Sequence, residues 1–248
     1  MLRALLLVCA TVACAASLAQ PARDGVFPYR AIYGLYNGDK RVGESVFALS
    51  YDSVTGHYEF ETQSEFRGLL RFASPRPVIE RSEFAIVANE IQPLAFTYQD
   101  GTRRGARNLE MRFDREGGQL VIDRDGMREE LPLVPGALDR ASARVALMRE
   151  LDRSQLSGSY GITDPDVIRT YENRREGTET VATPLGRLAA QKISQQRQES
   201  SRRTVIWAAR ELHFLPIRIE QIREGRAPVA FALESVEWLT EAEGRDSH

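Results

Sequence analysis

From residue 28 onward, apolar and polar side chains alternate one by one along most of the chain. The stretch HYEFETQSEF shows the period best: Tyr58, Phe60, Thr62, Ser64 and Phe66 share one face, and Glu59, Glu61, Gln63 and Glu65 share the other. A period of two places successive side chains on opposite sides of an extended backbone, so the segment predicts a strand with one wet face. Upstream, PYRAIYGLYNGDKRVGESVFALSY reads as two strands joined at Asn37-Gly38, a tight hairpin signal, with Phe47, Leu49 and Tyr51 alternating in the second. Further strands are predicted over 78–87, 91–99, 108–114, 119–123, 167–175, 178–183, 188–196, 204–209 and 215–222, with a last one in PVAFALESVEWL. Gly101, Gly117-Gly118, Asp125-Gly126 and Gly177 supply the breaks.

One segment departs from this period. In GALDRASARVALMREL the apolar residues Leu138, Ala141, Val145, Met148 and Leu151 recur at helical spacing, and Asp139 follows the break at Pro135-Gly136 as a candidate N-cap. The pattern predicts one amphipathic helix over 139–152, whose apolar stripe must cover an open face or end of the sheet. At least ten short strands, one helix and no linker-like tract predict a mainly β fold over 28–240. Its form is a curved antiparallel sheet or partly closed β-barrel with the helix as plug or lid. A sandwich of two sheets is the rival arrangement.

The ends add a compartment. Residues 1–19 carry Arg3, an apolar run from Ala4 to Cys14, and small residues ending in Ser17-Leu18-Ala19, the layout of a secretory signal peptide cleaved after Ala19. The apolar run is too short to span a bilayer. A second reading makes Cys14 the lipidated first residue of a lipoprotein, although Thr11 is a poor match to the leading position of such a site. Residues 20–27 form a short N-terminal extension, and the polar tail 241–248 is expected to fray. Cys9 and Cys14 are the only cysteines, so a chain beginning at Gln20 has no thiol for a disulfide, a thiolate metal site or a nucleophile. The formal charge of -2 argues against general nucleic-acid binding. The cations are arginines apart from Lys40 and Lys192; clusters such as Arg103-Arg104-Arg107 and Arg197-Arg202-Arg203 could meet phosphate groups in an envelope or simply be solvated strand ends.

Candidate chemistry is sparse. SGSYG at 157–161 has Ser157 where a nucleophile elbow needs glycine and reads as a turn. The three histidines, His57, His213 and His248, form no metal-ligand spacing, and DRDG at 123–126 lacks the later ligands of a calcium loop. The densest polar cluster lies in TVIWAARELHFLPIRIEQI, 204–222. There Arg218 and Glu220 predict an exposed ion ladder on one strand face, and His213 beside Glu211 a rim pair. Trp207, grouped with Val205 and Ala209, is either plain core or one wall of a cavity. No metal, cofactor or catalytic set is expected, and the chain is expected to be no enzyme.

Three motifs, YRAIYGLYNGDKRVGE, GALDRASARVALMREL and TPLGRLAAQKI with RRTVIWAARELHFLPIRIEQIREG, resemble domain-of-unknown-function family 3108, a family of exported bacterial proteins, over roughly residues 28–238. That resemblance implies a location in the bacterial envelope and a mostly antiparallel, barrel-like fold. In outline the chain is also similar to periplasmic lipoprotein carriers, whose unclosed barrel with a helical lid holds acyl chains. These readings converge on a non-catalytic periplasmic binding or carrier protein for a lipid or acylated envelope component. Tyr33, Phe47, Tyr58, Phe60, Phe66 and Trp207 are the expected ligand-lining residues, and Val145 and Met148 belong to the lid. In GLLRFASPRP, Leu69, Leu70 and Phe72 could flank the opening. The alternative is an envelope interaction protein with a fully packed core and no ligand, partnered by another protein.

Overall fold

The computed structural model describes residues 25–164, 167–198 and 200–239; the predicted leader 1–19 and the tail 241–248 lie outside these residues. The first half of the chain is a meander of eight strands: β1 (Tyr29–Asn37), β2 (Lys40–Asp52), β3 (His57–Phe66), β4 (Val78–Val87), β5 (Glu90–Gln99), β6 (Leu109–Asp114), β7 (Gln119–Arg124) and β8 (Met127–Pro132). A short helix, α1 (Leu70–Ala73), sits between β3 and β4, and α2 (Ser142–Asp152) follows β8. The second half supplies β9 (Ser159–Asp164), β10 (Val167–Thr183), β11 (Gly186–Arg197), β12 (Arg202–Ala209), β13 (Leu215–Arg223) and β14 (Val229–Trp238).

Among the described residues all fourteen strands belong to one antiparallel sheet, in the order β8-β7-β6-β5-β4-β3-β2-β1-β14-β13-β12-β11-β10-β9. The first and last strands therefore meet in the middle, with Tyr29 opposite Trp238 and Asn37 opposite Val229. The two edges are β8 and β9, which are joined by the segment that contains α2. This segment occupies the seam: Leu138 forms a parallel bridge with Ile162, its N–H donating to the Gly161 carbonyl and its own carbonyl accepting from Thr163 N–H. The sheet is thus curved without closing into a true barrel. Edge strand β8 carries Arg128, Glu129 and Glu130, charges that discourage pairing with another chain.

Helix α2 is buried nearly all round, including Ala143, Val145, Leu147, Met148 and Leu151. Burying each of the larger apolar side chains stabilises the fold by roughly 1.5–3 kcal/mol. As the plug reading expects, the helix has no broad wet face and lies among the inward side chains of the strands, with Arg144, Glu150 and Asp152 its less buried positions. Its start is fixed by Asp139, as the sequence indicated. The Asp139 carboxylate accepts from the N–H groups of Ala141 and Ser142, both at 2.8 Å, while Ser142 Oγ accepts from Asp139 N–H at 3.1 Å. Ser82 on β4 donates to the same carboxylate at 2.6 Å, so the cap also ties the helix to the sheet.

Three sequence readings change in the structure. The turn expected at SGSYG is the start of β9, and the strands expected over 167–175 and 178–183 are one strand with an irregularity between Arg175 and Gly177. Met127–Pro132 pairs as β8 although its face pattern is almost wholly exposed. Asp139→Ala is expected to lower the unfolding free energy by about 2 kcal/mol, since the helix N–H groups and a buried hydroxyl lose their acceptor. Asp139→Asn, which keeps an acceptor there, should cost less than half as much. Urea-induced unfolding of the three proteins measures both values, and equal losses for Ala and Asn would contradict this role for the carboxylate.

Candidate functional site

The inward faces of β1, β2, β3 and β4 bring four of the six expected ligand-lining residues into one aromatic layer. Tyr33 packs against Phe47 with ring centroids 4.4 Å apart, and Phe47 meets Phe60 edge-on at 6.0 Å. Tyr58 stacks on Phe84 at 5.5 Å. Tyr33 Oη donates to the Pro216 carbonyl at 2.7 Å, which carries the layer across to β13. Burial pushes the Tyr33 phenol well above its ordinary pKa, and burial does the same for Tyr29 against the opposing charge of Arg144. Val145 and Met148, the expected lid residues, are buried here, with Tyr29 Oη 4.0 Å from Met148 Sδ.

Phe66 and Trp207 lie elsewhere. Phe66 is half-buried at the end of β3, opposite Gly43. Trp207 belongs to the outer face. In register it stands between Lys192 and Arg218, whose cationic groups sit 5.2 and 5.6 Å from its ring, and its indole N–H donates to Glu179 at 2.7 Å. Ile206, its neighbour in sequence, faces Ile193 and Ile219 on the inner side. Both faces of β12 are apolar here, so alternation alone could not say which one pointed inward. The expected Arg218–Glu220 ladder forms, with Nε to Oε1 at 2.7 Å. His213 instead stacks on Phe27 at 3.6 Å and meets Trp238 edge-on at 5.1 Å. Burial, opposed by the charge of Asp152, lowers its pKa.

The sequence reading missed the charged group at the α2 end of this interior. Glu80 belongs to the inward series Glu80, Ser82, Phe84 on β4, so the alternation itself placed a carboxylate on the inner face. It pairs with Arg140 and Arg144, each at 3.1 Å. Arg140 also lies over the rings of Phe96 and Tyr98, and Arg144 over Phe47. Burial by itself would raise the Glu80 pKa, but Arg144 and Arg140 outweigh it and hold the carboxyl below its ordinary range. At the opposite end of α2, Arg149 donates through Nη2 to Asn89 Oδ1 at 2.8 Å and also to the Asn89 carbonyl, which fixes the helix to the β4–β5 turn.

A second charged cluster lies on β9 to β12. Asp164 pairs with Arg169 at 2.9 Å and Arg197 at 3.7 Å. The charge of Arg140 acts on both Tyr171 and Arg202 there, together with that of Asp164. Burial lowers the Arg202 pKa, and the like charges of Arg223 and Arg140 lower it further. Across the two clusters arginines outnumber carboxylates, with Arg140, Arg144, Arg169, Arg197 and Arg202 against Glu80 and Asp164. On the outer face of β2–β4, a groove of about 1450 Å³ runs over Val46, Ala48, Glu59, Glu61, Arg81 and Glu83. Its charges are largely paired, Arg81 with Glu61 and Glu59, and His57 with Glu83 at 2.7 Å. Among the described residues no group of three or more His, Cys, Asp or Glu side chains could hold a metal ion, and no helix is long and apolar enough to cross a membrane.

Residues 29–225 match the family model described as protein of unknown function DUF3108. The chain belongs to the DUF3108 family. The fold of this DUF3108 protein is similar to that of a beta-barrel-like protein of domain of unknown function DUF1849 from Brucella abortus. The two are 11% identical, cover 87% of this chain and 99% of that one, and superpose with a TM-score of 0.52. A candidate lipoprotein from Parabacteroides distasonis, 8% identical over 86% of this chain and 96% of its own, gives a TM-score of 0.35. A candidate exported protein with a YmcC-like fold from Bacteroides fragilis, 12% identical over 88% and 97%, gives 0.34. No curated protein sequence matches this chain.

Glu80→Gln is expected to lower stability at neutral pH by about 2 kcal/mol, because two guanidinium groups then face each other without a counter-charge. The Glu80 pKa is depressed in the folded state, so its contribution is present above the ordinary value of 4.5 and is lost as pH falls through the folded value. Thermal melts of the two proteins should therefore differ most near neutrality and converge in acid. A gap that widens as pH falls would contradict the pairing.

Proposed function

We propose that this DUF3108 protein is a non-catalytic binding or carrier protein of the bacterial envelope, working in the periplasm. Its ligand is an amphipathic molecule with an acyl chain and an anionic head. The observation that carries the proposal is α2: a helix lies through the interior of a sheet that is open at the β8–β9 seam, and it is held at its N-terminal end by an ionic latch, Glu80 with Arg140 and Arg144. Withdrawal of such a plug would expose the aromatic layer of Tyr33, Phe47, Phe60 and Tyr58, which suits a hydrocarbon chain, while the arginines at the opening suit its charged head. The leader pattern in residues 1–19 supports the compartment.

A second reading, an envelope interaction protein without a ligand, is favoured by one observation. The rings of the aromatic layer already pack against each other and against α2, as a finished core would. The two readings differ in what the interior accepts. On the carrier reading, organic extraction of protein purified from its native envelope yields a recurring acyl-chain compound, and the stripped protein takes up a fluorescent fatty acid. Met148→Ala, which opens space beside Tyr29, should tighten that uptake several-fold, whereas Arg144→Gln should weaken it for the fatty acid but not for the corresponding alcohol. Empty extracts together with no uptake by wild type or Met148→Ala would leave the packed-core reading standing.

A further inference from the structure

Two loops at the end of the sheet nearest Glu80 share a property that the interior does not explain. The β3–β4 connection, residues 67–77, carries α1 at its tip, where Leu69 is 84% exposed, Phe72 82% and Leu70 41%. Around these apolar side chains stand Arg67, Arg71 and Arg76, all exposed. The neighbouring β5–β6 connection, residues 100–108, adds Arg103, Arg104 and Arg107, also exposed. Neither 67–77 nor 101–108 contains an aspartate or glutamate. Six arginines and three large apolar side chains thus share the two loops, and Arg67, Arg71 and Arg76 also border the outer groove, whose carboxylates include Glu44 and Glu65.

The two loops are held as one body. Arg76 N–H donates to the Gly101 carbonyl at 3.1 Å, and Ser74 Oγ donates to the Asp100 carbonyl at 3.4 Å. Gly101 has φ +67, and a Cβ there would come within 2.4 Å of the Arg76 carbonyl oxygen, so the close approach requires glycine. Beneath the arginines, the buried Asp100 carboxylate accepts from Thr102 N–H at 2.9 Å, Thr102 Oγ1 at 2.8 Å and Arg107 N–H at 3.2 Å. That carboxylate is spent on shaping the loop. Its ion pair with Arg107 is long, at 3.6 Å, and Arg67 reaches Glu44 only at 3.5 Å.

We propose that this patch docks the protein on an anionic lipid bilayer, with Leu69 and Phe72 entering the headgroup boundary and the arginines resting on the phosphate layer. The charge pattern selects this occupant. An apolar tip ringed by cations matches a surface that is anionic outside and hydrocarbon within, and each signal alone gives only weak, reversible attachment. The other hairpins at this end mix both signs, Asp39 beside Lys40, Asp123 and Asp125 around Arg124, and Glu224 between Arg223 and Arg226, so exposed cations coincide with exposed large apolar side chains on the α1 side. The proposal stands whatever the interior binds.

The test is cosedimentation of the purified mature protein with protein-free vesicles containing phosphatidylglycerol, against vesicles of phosphatidylcholine alone. Wild type is expected to bind the anionic vesicles and to be released as salt is raised. The pair Arg103→Glu and Arg104→Glu should weaken binding by about tenfold or more. The pair Leu69→Ser and Phe72→Ser should weaken it several-fold, and Phe72→Trp should show a blue-shifted emission only with the anionic vesicles. All the altered side chains are exposed, and circular dichroism checks that each variant is folded. Absence of wild-type binding, equal binding to both vesicle types, or wild-type affinity in both folded variants would overturn the proposal. So would binding to envelope fragments but not to protein-free vesicles, which would assign the patch to a protein partner.

Discussion

The fold depends on filling the space inside a sheet that is too broad to lie flat. A fourteen-stranded twisted sheet curls, and its strands alone leave a lumen that must be occupied. Because β1 and β14 pair in the middle, the two edges are consecutive in the chain order, β8 and then β9. The segment that joins them has to cross the open seam, so bridging the seam and filling the interior fall to the same stretch, with Leu138 laid along β9 and α2 turned inward. Were α2 an exposed surface helix instead, the inner faces of β1 to β4 would lack their covering.

Polar contacts decide how that helix sits. Apolar packing is non-directional, and a stripe of Val145, Leu147, Met148 and Leu151 would tolerate sliding or rotation in a greasy lumen. The ends prevent it. Asp139 is tied to Ser82, Glu80 to Arg140 and Arg144, and Arg149 to Asn89, which spaces fixed points along the helix. Of these, the Glu80 charge pairs add little net stability once desolvation is counted, and all three contacts are directional and so favour one arrangement. They are also sensitive to solvent and ligand charge in a way that apolar contacts are not. The same pairs therefore position the plug and give the proposed binding cycle a place to release it.

How much of this was legible depended on whether a residue's face could be read from its neighbours. Strands with one wet and one dry face, such as β3 and β4, announced themselves, and so did the Asn37-Gly38 hairpin and Asp139 as the helix cap. β8 was silent because its residues, Met-Arg-Glu-Glu-Leu-Pro, are nearly all exposed, and an edge strand held by one neighbour shows no apolar period. Ser159 and Gly161 carry turn chemistry, yet pairing with β10 draws them into β9. Trp207 is buried, as a core reading expects, but alternation could not choose its side because both faces of β12 are apolar, one turned to the interior and the other covered by Lys192 and Arg218 from the flanking strands and Glu179 from β10.

The sequence by itself determined the β class, the meander, the single substantial helix and the set Tyr33, Phe47, Tyr58 and Phe60 on inward faces, because these follow from periods set within a few residues. Only the tertiary structure decided that the termini pair centrally, that the edges are β8 and β9, and that the helix lies inside. It also brought Glu80 on one strand to Arg140 and Arg144 far along the chain, and joined the arginines of two separate loops into one surface. Those outcomes rest on contacts between distant residues, whose partners no local spacing encodes.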